Sequence, residues 1–393
     1  MKSRIPAPQG PILPIGTPVM PGLRPVIPKP EAPIKPPVGE RLRPPLRKPA
    51  PKVPDPTQPE NARIAALAAE FIRQFGAPGL SVAFSRGGTL IYRRAFGHTG
   101  ADRRTLLTPD HVFRIASVSK PITSACIFAL MAKGLLRLED PVFGPKGILG
   151  RRYTVDPSLL GINVLHLLQH SAGVWSNERD DPMFMSSEIS QAGLILSTLA
   201  RTRLVIPPGR HFAYSNFGYC LLGRVIETIT GGRSYQDVVK HFILDPCLIN
   251  SMRIGKGAPG GRLANEVEYL CQMGGNPYAI NVERMDAHGG WVGTPTDLVR
   301  FALRVDGFSS PPDILPPHAI KTMTTPSLAN RGYACGWAVN EASNWWHDGG
   351  LPGVATILVR TGTGFTWAGF TNTRTPSIGN ALDQLMWKMM AAL

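Results

Sequence analysis

The chain has 393 residues, 43% of them hydrophobic, which allows one large domain or two lobes around a buried core. No run of eighteen apolar residues occurs, so the sequence predicts no membrane span. The formal charge of +15 would indicate an anionic partner if it were concentrated on the folded part, but residues 1–60 hold ten Lys or Arg against four Asp or Glu.

The segment 1–59 is basic and rich in proline, and it contains no aromatic residue. This composition favours extended polyproline II and cannot build a packed core. We therefore predict a disordered tail, followed by a folded domain over 60–393. Docking of the tail to a protein partner through P-x-x-P stretches and adhesion to an anionic membrane are weaker alternatives. We expect no nucleic-acid binding, because nothing in the tail can stack on a base.

Two features bear on the compartment of the protein. The N-terminus has basic residues but no apolar h-region, so no secretory signal is recognised and a cytoplasmic location is predicted. The five cysteines are odd in number and form no C-x-x-C pair, which predicts buried free thiols in a reducing compartment.

Hydrophobic periodicity predicts the elements in chain order. A helix over 62–75 is followed by a hairpin of strands 80–85 and 89–96, and a central helix follows residue 113. Further helices are predicted over 164–169, 191–201, 217–230, 235–242 and 296–304, strands over 333–339, 354–360 and 365–371, and a closing helix over 380–390. The order predicts an α/β (α+β) fold in which an antiparallel sheet is flanked by helices. The sheet lobe comprises 60–115 and 331–393, an all-α lobe of about 135–330 is inserted, and the active site lies between them.

The central helix carries a candidate nucleophile. Ser117 and Lys120 are three residues apart, so their side chains lie on one helix face and the lysine can reach the hydroxyl. The start of a helix also favours developing negative charge. A Ser-x-x-Lys alone occurs by chance about once in a chain of this length, so other motifs must support it.

Two later motifs add candidate residues. Tyr214-Ser215-Asn216 precedes an apolar helix, where the tyrosine can relay protons, although a packed tyrosine beside a capping residue would look the same. His347-Asp348-Gly349-Gly350 precedes the strand from 354, and its glycines would let a substrate backbone approach closely.

In this order, the three motifs resemble the serine β-lactamase and penicillin-binding-protein superfamily, with its S-x-x-K, Y-x-N and K-T-G motifs or a histidine variant of the last. The stretches HLLQHSAG (166–173) and TPTDLVRFA (294–302) are also similar to segments of that superfamily. Within it, Y-x-N is typical of class C enzymes, family VIII carboxylesterases, D-aminopeptidases and mitochondrial β-lactamase-like proteins. The resemblance covers about 60–393 and implies a β-lactamase/transpeptidase-like fold.

The resemblance also implies roles for these residues. Ser117 would form an acyl-enzyme, and Lys120 and Tyr214 would manage its proton. Asn216 would bind substrate, His347 would take the lysine position of the third motif, and the N–H groups of Ser117 and Gly350 would form an oxyanion hole. Lysine and tyrosine each need a pKa shift of about three units to serve as a base at neutral pH. We expect the Lys120 ammonium to lower the pKa of the phenol and desolvation to lower that of the lysine.

We therefore expect a serine hydrolase acting on a small ester or amide substrate. Alternatives are a penicillin-binding DD-peptidase or β-lactamase, an acyltransferase, and a non-catalytic binding protein of the same fold. The sequence has no G-x-S-x-G elbow, H-E-x-x-H, P-loop or dinucleotide fingerprint, so we predict no metal and no cofactor.

Asp348 and Gly350 occupy positions where penicillin-recognising relatives resemble one another in carrying hydroxyl side chains that bind a substrate carboxylate. We expect Gly349 and Gly350 to lie at the substrate. If Asp348 also faces the cleft, its charge would repel a carboxylate and favour neutral or ammonium-bearing substrates. Strand alternation leaves the opposite orientation equally open.

Overall fold

The structure is a computed structural model that describes residues 61–150, 152–178, 181–185 and 187–393. The predicted tail 1–59 lies outside them. The strands among the described residues are β1 (Gly79–Arg86), β2 (Thr89–Gly97), β3 (Phe113–Arg114), β4 (Arg253–Ile254), β5 (Leu270–Cys271), β6 (Trp291–Gly293), β7 (Ala338–Val339), β8 (Trp345–Leu351), β9 (Val354–Arg360), β10 (Phe365–Thr371) and β11 (Thr373–Arg374). The α-helices are α1 (Ala62–Phe75), α2 (Ser119–Ala132), α3 (Val164–Leu168), α4 (Gln191–Leu199), α5 (Asn216–Ile229), α6 (Tyr235–Val239), α7 (Asp286–Gly289), α8 (Pro295–Ala302), α9 (Pro317–Thr324) and α10 (Ile378–Met390).

The main sheet has six strands in the order β2-β1-β10-β9-β8-β7, and all of its neighbouring pairs are antiparallel. The N-terminal hairpin pairs with a C-terminal strand, so that Leu80 lies opposite Thr371. The helices between them in sequence lie outside this sheet. The predicted fold class, an antiparallel sheet combined with helices, is confirmed.

Each face of the sheet covers its own apolar cluster. On one face, α1 and α10 pack over side chains such as Leu80, Ile357 and Trp367. On the other face, Ala83, Leu358 and Phe370 join the main core, which extends through α2 and α5. Helix α2 is buried on nearly all sides, as is typical of a central helix rather than an amphipathic surface helix.

Local sequence explains where the first elements begin and end. The Asn61 side chain accepts hydrogen bonds from the backbone N–H groups of Arg63 and Ile64, which caps α1. Gly87 and Gly88 have φ values of 55° and 80° in the turn between β1 and β2. Two successive left-handed residues match the twist of a two-residue hairpin, which is why a Gly-Gly pair predicts it.

The helical lobe predicted over about 135–330 differs from the structure in two ways. It contains the short strands β4, β5 and β6, and its helix α8 packs against β1 and β10 of the main sheet. Strands of two or three residues are too short to show a period of two. Helix α8 therefore packs with the main sheet, although the predicted bounds of about 135–330 assign it to the helical lobe.

One predicted strand is shortened in the structure, and one strand of the structure is absent from the predicted elements. Of the strand predicted over 333–339, only Ala338–Val339 is a strand, because the chain turns at Gly336, where φ is 78°. Strand β8 was not predicted as a strand, since aspartate and glycine are depleted in strands.

The structure also bears on the predictions about the cysteines and about membrane spans. Among the five cysteines, Cys271 is half-buried, whereas the other four are buried, and none forms a disulfide. Among the described residues, no helix has the length and apolar character needed to cross a membrane.

Candidate active site

The serine of the S-x-x-K motif lies on a short 3-10 turn, Ala116–Val118, directly before α2. Ala116 has a φ of 49°, a left-handed conformation that costs free energy for a residue with a Cβ. Ser117 is half-exposed, whereas all other residues from 112 to 128 are buried. The turn therefore presents a single hydroxyl from an otherwise buried segment.

Lys120 lies in the first turn of α2 and is fully buried. Its Nζ lies 3.1 Å from Ser117 Oγ and 2.7 Å from Asn216 Oδ1. The carbonyl oxygen of His288, in α7, lies 3.0 Å away and provides a third contact. Three helices thus converge on one amine, and its three contacts match the three donors of an ammonium group.

The pKa values of Lys120 and Tyr214 shift in opposite directions. Burial lowers the pKa of Lys120 to about 7, although the carboxylates of Asp181 and Asp348 oppose the shift. The Lys120 amine lies 4.8 Å from the centre of the Tyr214 ring, and burial raises the pKa of that phenol. The expected lowering of the Tyr214 pKa is therefore wrong, because desolvation of the phenol outweighs any effect of the amine.

Asn216, the first residue of α5, has both ends of its side chain engaged inside the protein. Its Oδ1 accepts from Lys120, and its Nδ2 donates to Asp181 Oδ2 at 2.7 Å. Its backbone N–H donates to Asn177 Oδ1 at 2.9 Å. These contacts hold Lys120 in place, and the role of Asn216 toward substrate stays a prediction.

The HDGG motif lies in β8, beside the turn Ala116–Val118 that carries Ser117. A Cβ on Gly349 would lie 2.6 Å from the Ile115 carbonyl oxygen and 3.1 Å from Ala116 Cβ, and it would collide with Thr356 Oγ1. Thr356 Oγ1 itself donates to that carbonyl oxygen at 2.9 Å. The missing side chain of Gly349 is thus what allows β8 and the Ser117 turn to touch.

A chain of hydrogen bonds crosses the site behind His347. The Ser215 backbone N–H donates to His170 Nδ1 at 3.1 Å, so Nε2 of that neutral ring carries the proton and donates to Tyr333 Oη at 3.2 Å. Tyr333 then donates to His347 Nε2 at 3.2 Å, and His347 Nδ1 donates to the Asp348 carbonyl oxygen at 2.6 Å. Burial lowers the pKa of His347 to about 4, which agrees with a neutral imidazole.

Strand alternation places the side chains of Asp348 and His347 on opposite faces of the sheet. Asp348 pairs with Ile357, which packs in the cluster beneath α10, whereas His347 pairs with Leu358 of the main core. Asp348 is exposed. Burial and, to a smaller extent, the charge of Asp348 raise the pKa of Asp383 on α10. The Asp348 carboxylate nevertheless borders the cavity at Ser117 and raises the pKa of Lys120, so strand alternation does not remove it from the site.

A cavity of about 370 Å³ opens at Ser117, and its lining residues are Ser117, Tyr214, Tyr333, Ala338, His347, Asp348, Gly350 and Arg374. Except for Lys120, Asn216 and Gly349, which lie beside it, every predicted site residue is in this lining. The structure therefore brings together three motifs that are far apart in the chain.

Sequence reasoning missed Asp181, His170, Tyr333 and Arg374. A signal existed for His170, which lies within the HLLQHSAG stretch, but none of the others belongs to a motif with recognisable spacing. No group of three or more His, Cys, Asp or Glu residues in the described part of the chain is arranged to hold a metal ion.

Comparison with known proteins places this geometry in a family. The Beta-lactamase family model matches residues 64–388. A penicillin-binding protein of Bacillus subtilis (strain 168) is 26% identical, over 71% of this chain and 64% of its own length. Esterase EstB of Burkholderia gladioli is 30% identical, over 43% of this chain and 45% of its own length. The chain thus spans less than two thirds of either relative.

Solved structures agree on the fold. The D-amino acid amidase from Ochrobactrum anthropi SV3, complexed with L-phenylalanine amide, superposes with a TM-score of 0.69 at 21% identity, covering 84% of this chain and 97% of the amidase. SurE with D-Leu gives a TM-score of 0.66 at 25% identity, over 84% of this chain and 75% of SurE. The chain belongs to the Beta-lactamase family.

Proposed function

We propose that the protein is a serine hydrolase that forms an acyl-enzyme on Ser117 and hydrolyses ester or amide bonds of small substrates. The observation that carries this proposal is the position of Lys120, a fully buried amine with a pKa of about 7 whose Nζ lies 3.1 Å from Ser117 Oγ. A base with a pKa near the working pH is the most effective proton acceptor.

Burial favours the neutral, basic form of Lys120, and the neighbouring oxygens orient that form. The Oδ1 of Asn216 and the carbonyl oxygen of His288 accept hydrogen bonds and cannot donate them. The two N–H bonds of a neutral amine would point to these oxygens, which directs its lone pair toward Ser117 Oγ. The lone pair takes the hydroxyl proton as Oγ bonds to the substrate carbonyl carbon.

The attack turns the carbonyl oxygen into an oxyanion, which needs hydrogen-bond donors. Leu351 and Val354 close a two-residue hairpin between β8 and β9, so alternate residues of β8 bond to β9 and the Gly350 N–H points to the other edge. Within the described ranges that edge is unpaired at Gly350, since β7 pairs only with the first two residues of β8. The Ser117 N–H lies in the first turn of a helical segment and lacks an intrahelical acceptor. We assign these two groups to the oxyanion hole.

Collapse of the tetrahedral intermediate breaks the bond to the leaving oxygen or nitrogen, which must gain a proton. Tyr214 stays protonated because its pKa is raised, so it supplies this proton and regains one from the Lys120 ammonium. Water then attacks the acyl carbonyl with Lys120 again as base, which releases the acid and restores Ser117. Both ring nitrogens of His347 are engaged, so we assign it a positioning role.

Mass spectrometry of the intact protein tests the proposal. We expect incubation with a 4-nitrophenyl ester to add one acyl group to the wild type and none to Ser117→Ala, whose fold is checked by circular dichroism. A penicillin in a parallel sample tests whether β-lactams acylate the same residue. Comparing products with and without an added alcohol distinguishes hydrolysis from acyl transfer. An adduct that persists in Ser117→Ala, or a wild type that neither acylates nor turns over any ester or amide, would contradict the proposal.

A further inference from the structure

Arg284 is a buried arginine that does not line the cavity at Ser117. Its guanidinium donates hydrogen bonds to backbone carbonyl oxygens that precede α4. Nη2 donates to Met183 at 3.0 Å and to Met185 at 2.8 Å, and Nη1 donates to Ile189 at 2.8 Å. Hydrogen bonds from a charged donor are stronger than neutral ones, and a planar guanidinium can serve several acceptors at once. One side chain thus holds the backbone before α4 at several points.

The segment 181–185 depends on such contacts, because burial anchors only part of it. Pro182 and Met183 are buried, whereas Phe184 and Met185 are 48% and 49% exposed. Segments with few buried apolar contacts open at a low cost in free energy. We therefore expect the hydrogen bonds from the guanidinium to fix the backbone of this segment.

The same segment carries Asp181, through which it reaches the proposed base. Asp181 Oδ1 accepts from the Met183 N–H at 2.9 Å, and its Oδ2 accepts from Asn216 Nδ2 at 2.7 Å. Asn216 Oδ1 in turn accepts from Lys120 Nζ at 2.7 Å. Met183 thus bonds to Arg284 through its carbonyl oxygen and to Asp181 through its N–H. A continuous series of contacts connects the guanidinium to the Lys120 amine.

Arg284 is itself attached to the helical part of the domain. Its backbone N–H donates to Asn281 Oδ1 at 3.0 Å, and its carbonyl oxygen accepts from Gln191 Nε2 at 2.9 Å. Two residues later, Asp286 begins α7 and pairs with Arg224 of α5, with 2.6 Å between Oδ2 and Nη2. A side chain whose own backbone is fixed can hold another segment in a defined place.

We propose that Arg284 is a positioning residue, which holds segment 181–185 where Asp181 supports the proposed base. This inference rests on the proposed function. Without the guanidinium the segment would be free to shift, and the Asn216 amide would lose the partner that fixes its orientation. Because Arg284 does not line the cavity, it acts on the reaction only through these other residues.

Among the described residues, the titratable groups around Lys120 come from several elements. They are Asp181, His170, Tyr214, Tyr219, His288, His347 and Asp348. Burial lowers the pKa values of the three histidines and raises those of the two tyrosines, so these five groups are neutral near pH 7. The two carboxylates raise the pKa of Lys120, and only that of Asp181 lies in the segment that the guanidinium holds. Displacement of this segment should therefore lower the pKa of Lys120.

The pH dependence of single-turnover acylation by a 4-nitrophenyl ester tests this role. The neutral amine is the proposed base, so the rate rises with pH and its midpoint follows the pKa of Lys120. In Arg284→Met we expect the midpoint to move to lower pH by about half a unit or more, because the carboxylate that raises this pKa is displaced. Adding Arg284→Met to Asp181→Asn should produce little further shift, since two residues that act through one contact are not additive.

Two variants separate position from charge and from loss of stability. Arg284→Lys keeps the positive charge but not the planar set of donors, so it should move the midpoint in the same direction by a smaller amount. Arg360→Met removes another buried arginine outside the cavity lining, which donates to the carbonyl oxygens of Ser343 and Asp306. It should lower stability without moving the midpoint. A midpoint that stays or rises in Arg284→Met, an equal shift in Arg360→Met, or shifts that simply add in the double variant would overturn the proposal.

Direct titration of Lys120 separates failure of this role from failure of the hydrolase proposal. In protein containing lysine labelled with 13C at Cε, the Lys120 signal is identified by its absence in Lys120→Arg and is followed by NMR against pH. If the wild type is acylated by no ester, a lower Lys120 pKa in Arg284→Met than in the wild type still supports the positioning role. Equal pKa values would overturn it. Should Arg284→Met not fold, the same comparison with Arg284→Lys decides the question.

Discussion

Lys120 connects the proposed chemistry to pH through a single buried amine. Its pKa is lowered to about 7, chiefly by burial, and the neutral amine is the proposed base. The fraction of neutral amine grows as the pH rises through the pKa, so the acylation rate should rise with pH and level off above about 8. Single-turnover acylation by a 4-nitrophenyl ester, followed by stopped-flow absorbance, measures this dependence of the acylation rate on pH. A rate that falls as the pH rises through 7 would contradict the assignment.

Replacement of the Asp181 carboxylate also tests this pH dependence, because the direction of the expected shift is known. Its charge raises the pKa of Lys120, so Asp181→Asn should move the midpoint of the acylation profile to lower pH. The exposed Asp245, which makes no ion pair among the described residues, provides a matched control as Asp245→Asn. A midpoint that moves to higher pH in Asp181→Asn, or equal shifts of the midpoint in both variants, would show that Lys120 does not determine how the acylation rate depends on pH.

Tyr333 links two buried histidines through one hydroxyl. Tyr333→Phe keeps the ring but leaves the Nε2–H of His170 and the Nε2 acceptor of His347 without their partner. We expect the free energy of unfolding to fall by about 1–3 kcal/mol and kcat to fall with it. The midpoint of the acylation rate against pH should not move, because the hydrogen-bond partners of Lys120 are intact. Urea denaturation and steady-state kinetics measure these effects.

Tyr153 supplies the matched control for that variant. It is also buried, but its hydroxyl makes no hydrogen bond within the described residues. If Tyr153→Phe lowers stability and kcat as much as Tyr333→Phe does, the hydrogen-bond chain has no specific role.

Strand β8 and the turn Ala116–Val118, which carries the proposed nucleophile, depend on each other for their positions. Gly349→Ala would press a Cβ against Ile115 and Ala116, so we expect the turn to move and kcat to fall by at least tenfold, on the order of 1.4 kcal/mol in the barrier. Gly379→Ala, in the first turn of α10, meets nothing within 4 Å and should leave kcat unchanged. Normal activity in Gly349→Ala would show that this close approach does not position Ser117.

The success of sequence reasoning differs between kinds of element. Helices such as α1 and strands such as β9 and β10 were predicted to within about a residue, because period and caps are local properties. Strand β8 was missed because pairing with β9 outweighs the poor strand propensity of Asp348 and the two glycines.

The same distinction applies to the site. Ser117 and Lys120 are recognisable because they are three residues apart, on the turn that leads into α2 and in the first turn of that helix. Arg374 lies against Gly350 only through the arrangement of β11 beside the main sheet, which no local pattern encodes. The sequence could name the reacting groups, but the residues that orient them or select a substrate depend on contacts between distant segments.

At the scale of the whole molecule, the proline-rich segment 1–59 lies outside the described residues. That it takes no part in the folded domain remains a prediction from its composition. We expect deletion of residues 1–55 to leave kcat/KM and Tm nearly unchanged, because a segment without hydrophobic periodicity contributes nothing to a core. Ester kinetics and calorimetry of the deletion variant check this. A large drop in Tm or kcat/KM would show that the segment packs on the domain or takes part in catalysis.

The pairing of β1 with β10 has a consequence for how the protein is made. A nascent chain that has emerged from the ribosome up to residue 340 already contains Ser117, Lys120 and Tyr214, but it lacks β8, β9, β10 and β11. The sheet cannot close and the nucleophile turn has no Gly350 beside it until those strands emerge, because the pairing spans nearly the whole domain. During synthesis the proposed nucleophile Ser117 therefore exists for most of the time without the parts that would let it act.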